Sequence, residues 1–183
     1  MEAIEILTAE HRTIERVITA LLAFSRETAG AGDDRPELAR FVRFLREFAD
    51  GHHHAKEEGV LFEAMVQAGF PRQAGPIGVM LHEHAVGRRH VAALAALAEA
   101  QAPWSAEERA RLVEAATGYA DLLRAHIQKE DGVLYPMAEA RLGAALLAQV
   151  EAGCARADAE ALACGRRSEL RSLGDELVAR HLT

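Results

Sequence analysis

Nine residues that could carry chemistry occur twice in this chain. His53-His54-Ala55-Lys56-Glu57-Glu58-Gly59-Val60-Leu61 is echoed by His126-Ile127-Gln128-Lys129-Glu130-Asp131-Gly132-Val133-Leu134, with His, Lys, Glu, Gly, Val and Leu kept. In both copies a histidine precedes a glutamate by four residues. On an α-helix that spacing is about 400°, so the two side chains sit one turn apart on nearly the same face. A neutral imidazole and a carboxylate converging from one face form a metal-ligand pair, and two such pairs on two helices can hold a dinuclear centre. One copy alone reads most simply as a charged, solvated face. A solvated face, however, has no reason to repeat this register together with the same Val-Leu anchor.

Further imidazoles stand at helical spacing elsewhere. His11 lies in the middle of an apolar stripe of Ile4, Leu7, Ile14, Val17, Ile18, Leu21 and Leu22. Taken alone it reads as a core histidine, and next to a metal site it reads as a ligand. His84 lies four residues after Met80 and seven before Val91, on the apolar stripe of its own helix. His82 turns about 200° away from it. His82 and His90, beside Arg88 and Arg89, are read as surface residues. His52, His53 and His54 cannot share a face, because consecutive helical residues turn by about 100°. The second copy has Ile127 where the first has His54. The expectation is therefore that His53 with Glu57 is the working register, that His54 and Glu58 lie at the periphery, and that His52 is on the surface.

The elements that would position these groups are helices. The chain has 183 residues, half apolar and 27% charged, with few aromatics, which suits an all-α protein with an aliphatic core. Periodicity predicts helices over about 4–28, 36–67, 77–101 and 106–136. A loop at Ala29-Gly30-Ala31-Gly32-Asp33-Asp34, a turn-rich 69–76 and Pro103-Trp104-Ser105 separate them. Ser105-Ala106-Glu107-Glu108 is a capping box. Gly51 costs its helix about 1 kcal/mol relative to alanine, and Pro136 is expected to kink or end the fourth helix. Four long helices with short connections imply an up-down-up-down bundle over residues 1–140. Residues 141–183 read as a C-terminal helical extension in two pieces, around Gly153 and Gly165. It would pack on the bundle or make a subunit contact, so an oligomer is possible through it.

The net charge of −7 argues against nucleic acid as a partner. Met1-Glu2-Ala3-Ile4-Glu5 does not read as a basic leader, and no stretch reads as long and apolar enough for a membrane span, so no membrane partner and a cytoplasmic location are expected. Cys154 and Cys164, about 15 Å apart if one helix holds both, are expected to be reduced.

One imidazole from each helix, His11, His53, His84 and His126, with Glu57 and Glu130, gives four nitrogens and two carboxylates at one level. Nitrogen and oxygen ligands without thiolate suit iron or manganese and tolerate zinc. The pattern His11 … His53-x3-Glu57 … His84 … His126-x3-Glu130 resembles the hemerythrin-like (HHE cation-binding) family. Glu10-His11-Arg12, the two nine-residue runs, Gly75-Pro76-Ile77-Gly78-Val79-Met80 and Glu83-His84 with Gly87-Arg88 carry the resemblance over about residues 1–140. It implies a non-haem centre of two iron ions with a bridging oxide or hydroxide, open to O2, peroxide or NO. Members it resembles are linked to peroxide decomposition, NO response and the repair or supply of iron.

Two departures stand out. Oxygen carriers of the family have a fifth histidine one turn from the one on the third helix, where this chain has Met80 and Arg88. Their last carboxylate stands five after its histidine, where this chain has Asp131, which is kept as the alternative to Glu130. One imidazole fewer would leave the centre more reactive and weighs against a reversible carrier. The expected function is therefore reaction with, or sensing of, a small oxidant. The alternatives are an iron-binding, sensing or supply module without turnover, and a bundle whose histidines are incidental. No catalytic side chain is assigned. Arg88 is read as a surface salt bridge, with Glu83 or Glu57 as candidate partners.

Overall fold

In the computed structural model, residues 1–30 and 32–182 are described; among them there is helix and loop and no strand. Ala31, in the loop expected after the first helix, lies outside the described residues. Four rods form the bundle. The first is α1 (Glu2–Thr28). The second begins as α2 (Arg35–Phe44), passes through two π-helical stretches, Leu45–His54 and Glu57–Leu61, and ends as α3 (Phe62–Gln67). The third is α4 (Gly75–Ala98). The fourth joins α5 (Ala106–Lys129), a π-helical turn Glu130–Leu134 and α6 (Tyr135–Arg141). The starts are written locally. The Asp34 side chain accepts the Glu37 N–H, with Pro36 in the first turn, and Ser105 with Glu108 forms the expected capping box.

The π-helical turns Glu57–Leu61 and Glu130–Leu134 follow the repeat. The Phe62 N–H bonds the Glu57 carbonyl and the Tyr135 N–H bonds the Glu130 carbonyl, five residues back in each case. Such wide turns gather at functional sites. Here each begins on one of the paired glutamates. They also explain why Pro136 does not end the fourth rod, which runs on to Arg141. The proline falls in the first turn of α6, where the hydrogen-bond ladder has already changed step and a missing N–H costs little.

The apolar core comes in two blocks. Ile14, Val17, Phe41, Phe44, Phe48, Leu94, Leu112 and Leu123 belong to one; Leu7, Leu61, Phe62, Met65, Ile77, Met80, Leu134 and Tyr135 belong to the other. Between the blocks, on every rod, lies a layer of histidine and glutamate. Of the Val-Leu anchors only the leucines are buried, and Val133 stands in solvent. Val79, next to the buried Met80, is exposed as well.

The C-terminal extension packs on the bundle. α7 (Ala144–Ala163) runs straight through Gly153, and the break comes only at Gly165, with φ +71°. Cys154 is buried, Cys164 is exposed, and both are free. Val150 and Cys154 join the second block, while Leu170, Leu173 and Leu177 of α8 (Arg166–His181) join the first. No helix among the described residues is long and apolar enough to cross a membrane.

Glycine permits the close approach of α8. A Cβ at Gly174 would meet Phe44 Cε2 at 2.8 Å and Val17 Cγ2 at 3.4 Å, and both neighbours are buried. Alanine normally gains about 1 kcal/mol over glycine inside a helix. Here the clash outweighs that gain. Gly174→Ala is expected to cost about 1–3 kcal/mol, read as a lower midpoint in thermal unfolding.

Candidate metal centre

The layer between the two blocks brings together all six residues singled out from the repeat and the stripes, and adds a seventh. Ligand atoms of His11, His53, Glu57 and Glu130 lie within 4.8 Å of one another, and so do those of His54, Glu57, His84 and His126. All seven residues are buried. Both carboxylates reach across the two groups. Glu57 Oε2 is 3.6 Å from His53 Nε2 and 3.5 Å from His84 Nε2. Glu130 Oε2 is 3.2 Å from His11 Nε2 and 3.1 Å from His126 Nε2.

The imidazoles are held from behind by carboxylates. Nδ1 lies 2.8 Å from Asp131 in His11, 3.0 Å from Glu10 in His53, 3.3 Å from Asp50 in His54, 2.8 Å from Glu58 in His84 and 3.0 Å from Glu83 in His126. A carboxylate beside Nδ1 accepts a hydrogen bond from its N–H and leaves the Nε2 lone pair facing the layer, the arrangement of a metal-binding histidine. The repeat organises this outer ring too. Glu58 serves the His84 of another rod, and its counterpart Asp131 serves His11. Glu10 and Glu83, each just before an inner histidine in sequence, serve His53 and His126. Cations close the ring. Lys56 donates to Glu10, Lys129 to Glu83, Arg12 to Asp131, and Arg88 to both Asp50 and Glu58.

With every Nδ1 proton directed outward, the layer presents acceptors to acceptors. Glu57 Oε2 and both oxygens of Glu130 are buried without a hydrogen-bond partner, and His84 Nε2 faces His126 Nε2 at 3.0 Å. Among the described residues the one clear donor to these carboxylates from outside the imidazoles is Tyr135, whose hydroxyl bonds Glu57 Oε1 at 2.6 Å. Buried polar atoms left in this state are expensive. Burial pushes the Glu57 carboxyl well up, and Glu130 beside it adds to the shift. Burial works the same way on Glu130, but His126 and His11 outweigh it and hold that carboxyl well down. Burial takes His53 down to about 4 and His54 down to about 3, so both rings are neutral. His11 and His126 are raised: burial opposes their charge, but Asp131 and Glu130 at the first and Glu130 and Glu83 at the second prevail. The two buried carboxylates are therefore ionised together only with positive charge brought to them. Protons on His11 and His126 are one source, and divalent cations, which the donor set fits, are the other.

Several expectations need correction. His54 is not peripheral. It is buried in the layer and its ring stacks on that of His84 with centroids 3.8 Å apart. The 100° turn between His53 and His54 does separate them, but the layer is wide enough for the rings to reach its opposite halves. A fifth imidazole thus stands in the layer, contributed by the second rod. Its counterpart in the repeat, Ile127, is ordinary core. His52 is not a surface residue either; its side chain is 10% exposed, near Glu10 and Asp158. Glu58 and Asp131 stand outside the inner group, behind histidines. His82 is exposed and His90 half-buried. Arg88 is a surface residue, as read, but pairs with Asp50 and Glu58 rather than with Glu83 or Glu57. Glu10, Glu83 and Tyr135 were missed. The Glu-His dipeptides 10–11 and 83–84 were the available signal for the first two; nothing local marks Tyr135. If His54 is a ligand, His54→Leu should cut bound metal from about two per chain to about one by elemental analysis, with His82→Leu unchanged.

The chain matches the hemerythrin HHE cation binding domain over residues 2–138. Neither the curated proteins nor the solved structures compared with it gave a match. The matched span holds α1 to α5, the π-helical turns and every residue of the layer: the chain belongs to the hemerythrin HHE cation-binding domain family.

Proposed function

We propose that the layer holds two iron ions and that the protein binds, senses or reacts with O2, peroxide or NO there. His11 and His53 would serve one ion and His54, His84 and His126 the other, with Glu57, Glu130 and an oxide or hydroxide between them. The observation that carries this reading is the buried cluster of acceptors, with Glu57 Oε2 and both Glu130 oxygens left without a hydrogen-bond partner, which a pair of cations satisfies. Manganese and zinc suit the same donors, and iron is the choice that adds redox chemistry. When bound, iron would supply electrons and a coordination position for a small ligand. The chain supplies the rest. Carboxylates behind each ring fix the tautomer, the two apolar blocks limit water, and Tyr135 holds a proton against Glu57 Oε1 at the edge of the layer.

The fifth imidazole removes the ground for expecting an under-ligated, reactive centre. It favours a second reading, an iron-binding or sensing module without turnover, which the burial of every donor also supports. Loading the purified, untagged chain with iron tests both. At free metal about a thousandfold above Kd, stabilisation of about 4 kcal/mol is expected. That is a rise in Tm of about 8–16 °C for a domain of this size, with about two irons per chain and near-ultraviolet absorption that zinc loading does not produce. Metal-dependent decomposition of H2O2 would then separate reaction from binding alone. No stoichiometric metal and an unmoved Tm would overturn both readings.

A further inference from the structure

One difference between the two copies of the repeat lies outside the inner layer, in the surroundings of their lysines. In each, a lysine three residues after the histidine bonds the carboxylate that holds that histidine: Lys56 on Glu10 for His53, and Lys129 on Glu83 for His126. The Lys129 side chain is 41% exposed and that of Lys56 is 1% exposed. The other cations of the outer ring, Arg12 and Arg88, also face solvent. Water balances an exposed ammonium. A buried one depends on the carboxylates around it.

Glu10 has two demands on it, the Nδ1 proton of His53 at 3.0 Å and the Lys56 ammonium at 2.6 Å. A second carboxylate comes from α7. Asp158, itself buried, accepts from Lys56 at 2.9 Å. His52 Nε2 lies 3.2 Å from Glu10 and 3.1 Å from Asp158, and Arg167 of α8 lies 3.7 Å from Asp158. Glu10, His52 and Asp158 have the spacing of a cation site, but the Lys56 ammonium already lies between the two carboxylates. Asp158 is outside the residues that match the family. Among the described residues no counterpart of it stands behind Lys129.

We infer that Asp158 is a positioning residue for the centre: by sharing the charge of Lys56 it leaves Glu10 free to hold the Nδ1 proton of His53. The C-terminal extension thereby sets the donor strength of one imidazole, on the His11/His53 half alone. Without that carboxylate, the Lys56 ammonium depends on Glu10 alone, the hydrogen bond of Glu10 to His53 weakens, and His53 becomes a poorer ligand. The consequence for metal rests on the centre proposed above; the coupling through Glu10 does not.

The test compares Asp158→Asn with Asp175→Asn in the full chain. Asp175 is also on the extension, paired with Arg16 at 3.4 Å on the surface. In metal-free protein, NMR of the histidine Nδ1–H groups reads the coupling directly. Asp158→Asn should move the His53 resonance and speed its exchange with water, leaving His126 in place, and Asp175→Asn should move neither. In chelator competition with zinc, Asp158→Asn should weaken one of the two bound ions about tenfold, and Asp158→Glu should recover part of the loss. If Asp158→Asn does not fold, Asp158→Ser, which also removes the charge, takes its place: a shifted His53 resonance supports the coupling, and one unshifted overturns it. An unmoved His53 resonance, or a loss of affinity no greater than that of Asp175→Asn, overturns the inference while the metal reading stands. Wild-type chain that binds no zinc or iron, with a responsive His53 resonance, overturns the metal reading instead, and with it the role of Asp158 towards a centre.

Discussion

Glu57→Gln should yield a chain that is more stable than its parent without metal and no longer stabilised by metal. The amide keeps the shape of the carboxyl and an oxygen for the Tyr135 hydroxyl. Its new N–H group faces Glu130, whose oxygens have no hydrogen-bond partner. What disappears is a carboxyl whose ionised form burial and the neighbouring Glu130 both oppose. Replacing a buried ionic group with a neutral one of equal volume is often stabilising, and about 1–2 kcal/mol is expected here. That corresponds to a rise in Tm of about 2–8 °C for the metal-free chain. Because Glu57 belongs to both groups of ligand atoms, the same change should remove stoichiometric metal and with it the metal-induced rise in Tm. A glutamate whose role was a stabilising ion pair would behave in the opposite way. Thermal unfolding of parent and variant, each with and without iron, decides the sign. A metal-free variant that melts lower while still responding fully to iron would sink the account of the layer.

Lys56→Met is expected to be among the most damaging single changes outside the ligands. It leaves Glu10 and Asp158 buried around an apolar chain, and stripping one partner from a buried ionic cluster costs about 3–5 kcal/mol. For this size of domain the midpoint falls by about 6–20 °C. The same change at Lys129, in the second copy of the repeat, removes a half-exposed ion pair and should stay within about 1 kcal/mol. Adding Asp158→Asn to Lys56→Met should return part of the loss, since the two side chains are in contact and their effects are not additive. Equal losses at the two lysines, measured by denaturant unfolding, would show that the covering of Lys56 by α7 has no energetic consequence.

Much of this was legible in the chain itself. Helix type, the four rods and the pairing of His53 with Glu57 and His126 with Glu130 follow from 3.6-residue periodicity, because a helix fixes which residues share its own face. His11 and His84 stand on apolar stripes for the same reason. Glu10 and Glu83 could have been added from their position beside those histidines. Comparison of the two copies misled at His54, where Ile127 suggested a dispensable residue. A repeat compares a rod with its twin and is silent about what faces it.

The sequence by itself thus determined the rods, the layer of imidazoles and carboxylates within them, and the family to which both belong. Only the tertiary structure decided that His54 reaches His84 and His126, that Glu58 and Asp131 stand behind rings of other rods, and that Lys56 is enclosed while Lys129 is not. Each of these depends on a side chain from a distant part of the chain, brought near by packing. Periodicity sets the direction in which a residue points along its helix; distance, burial and charge balance are set by whatever the opposing helix presents there.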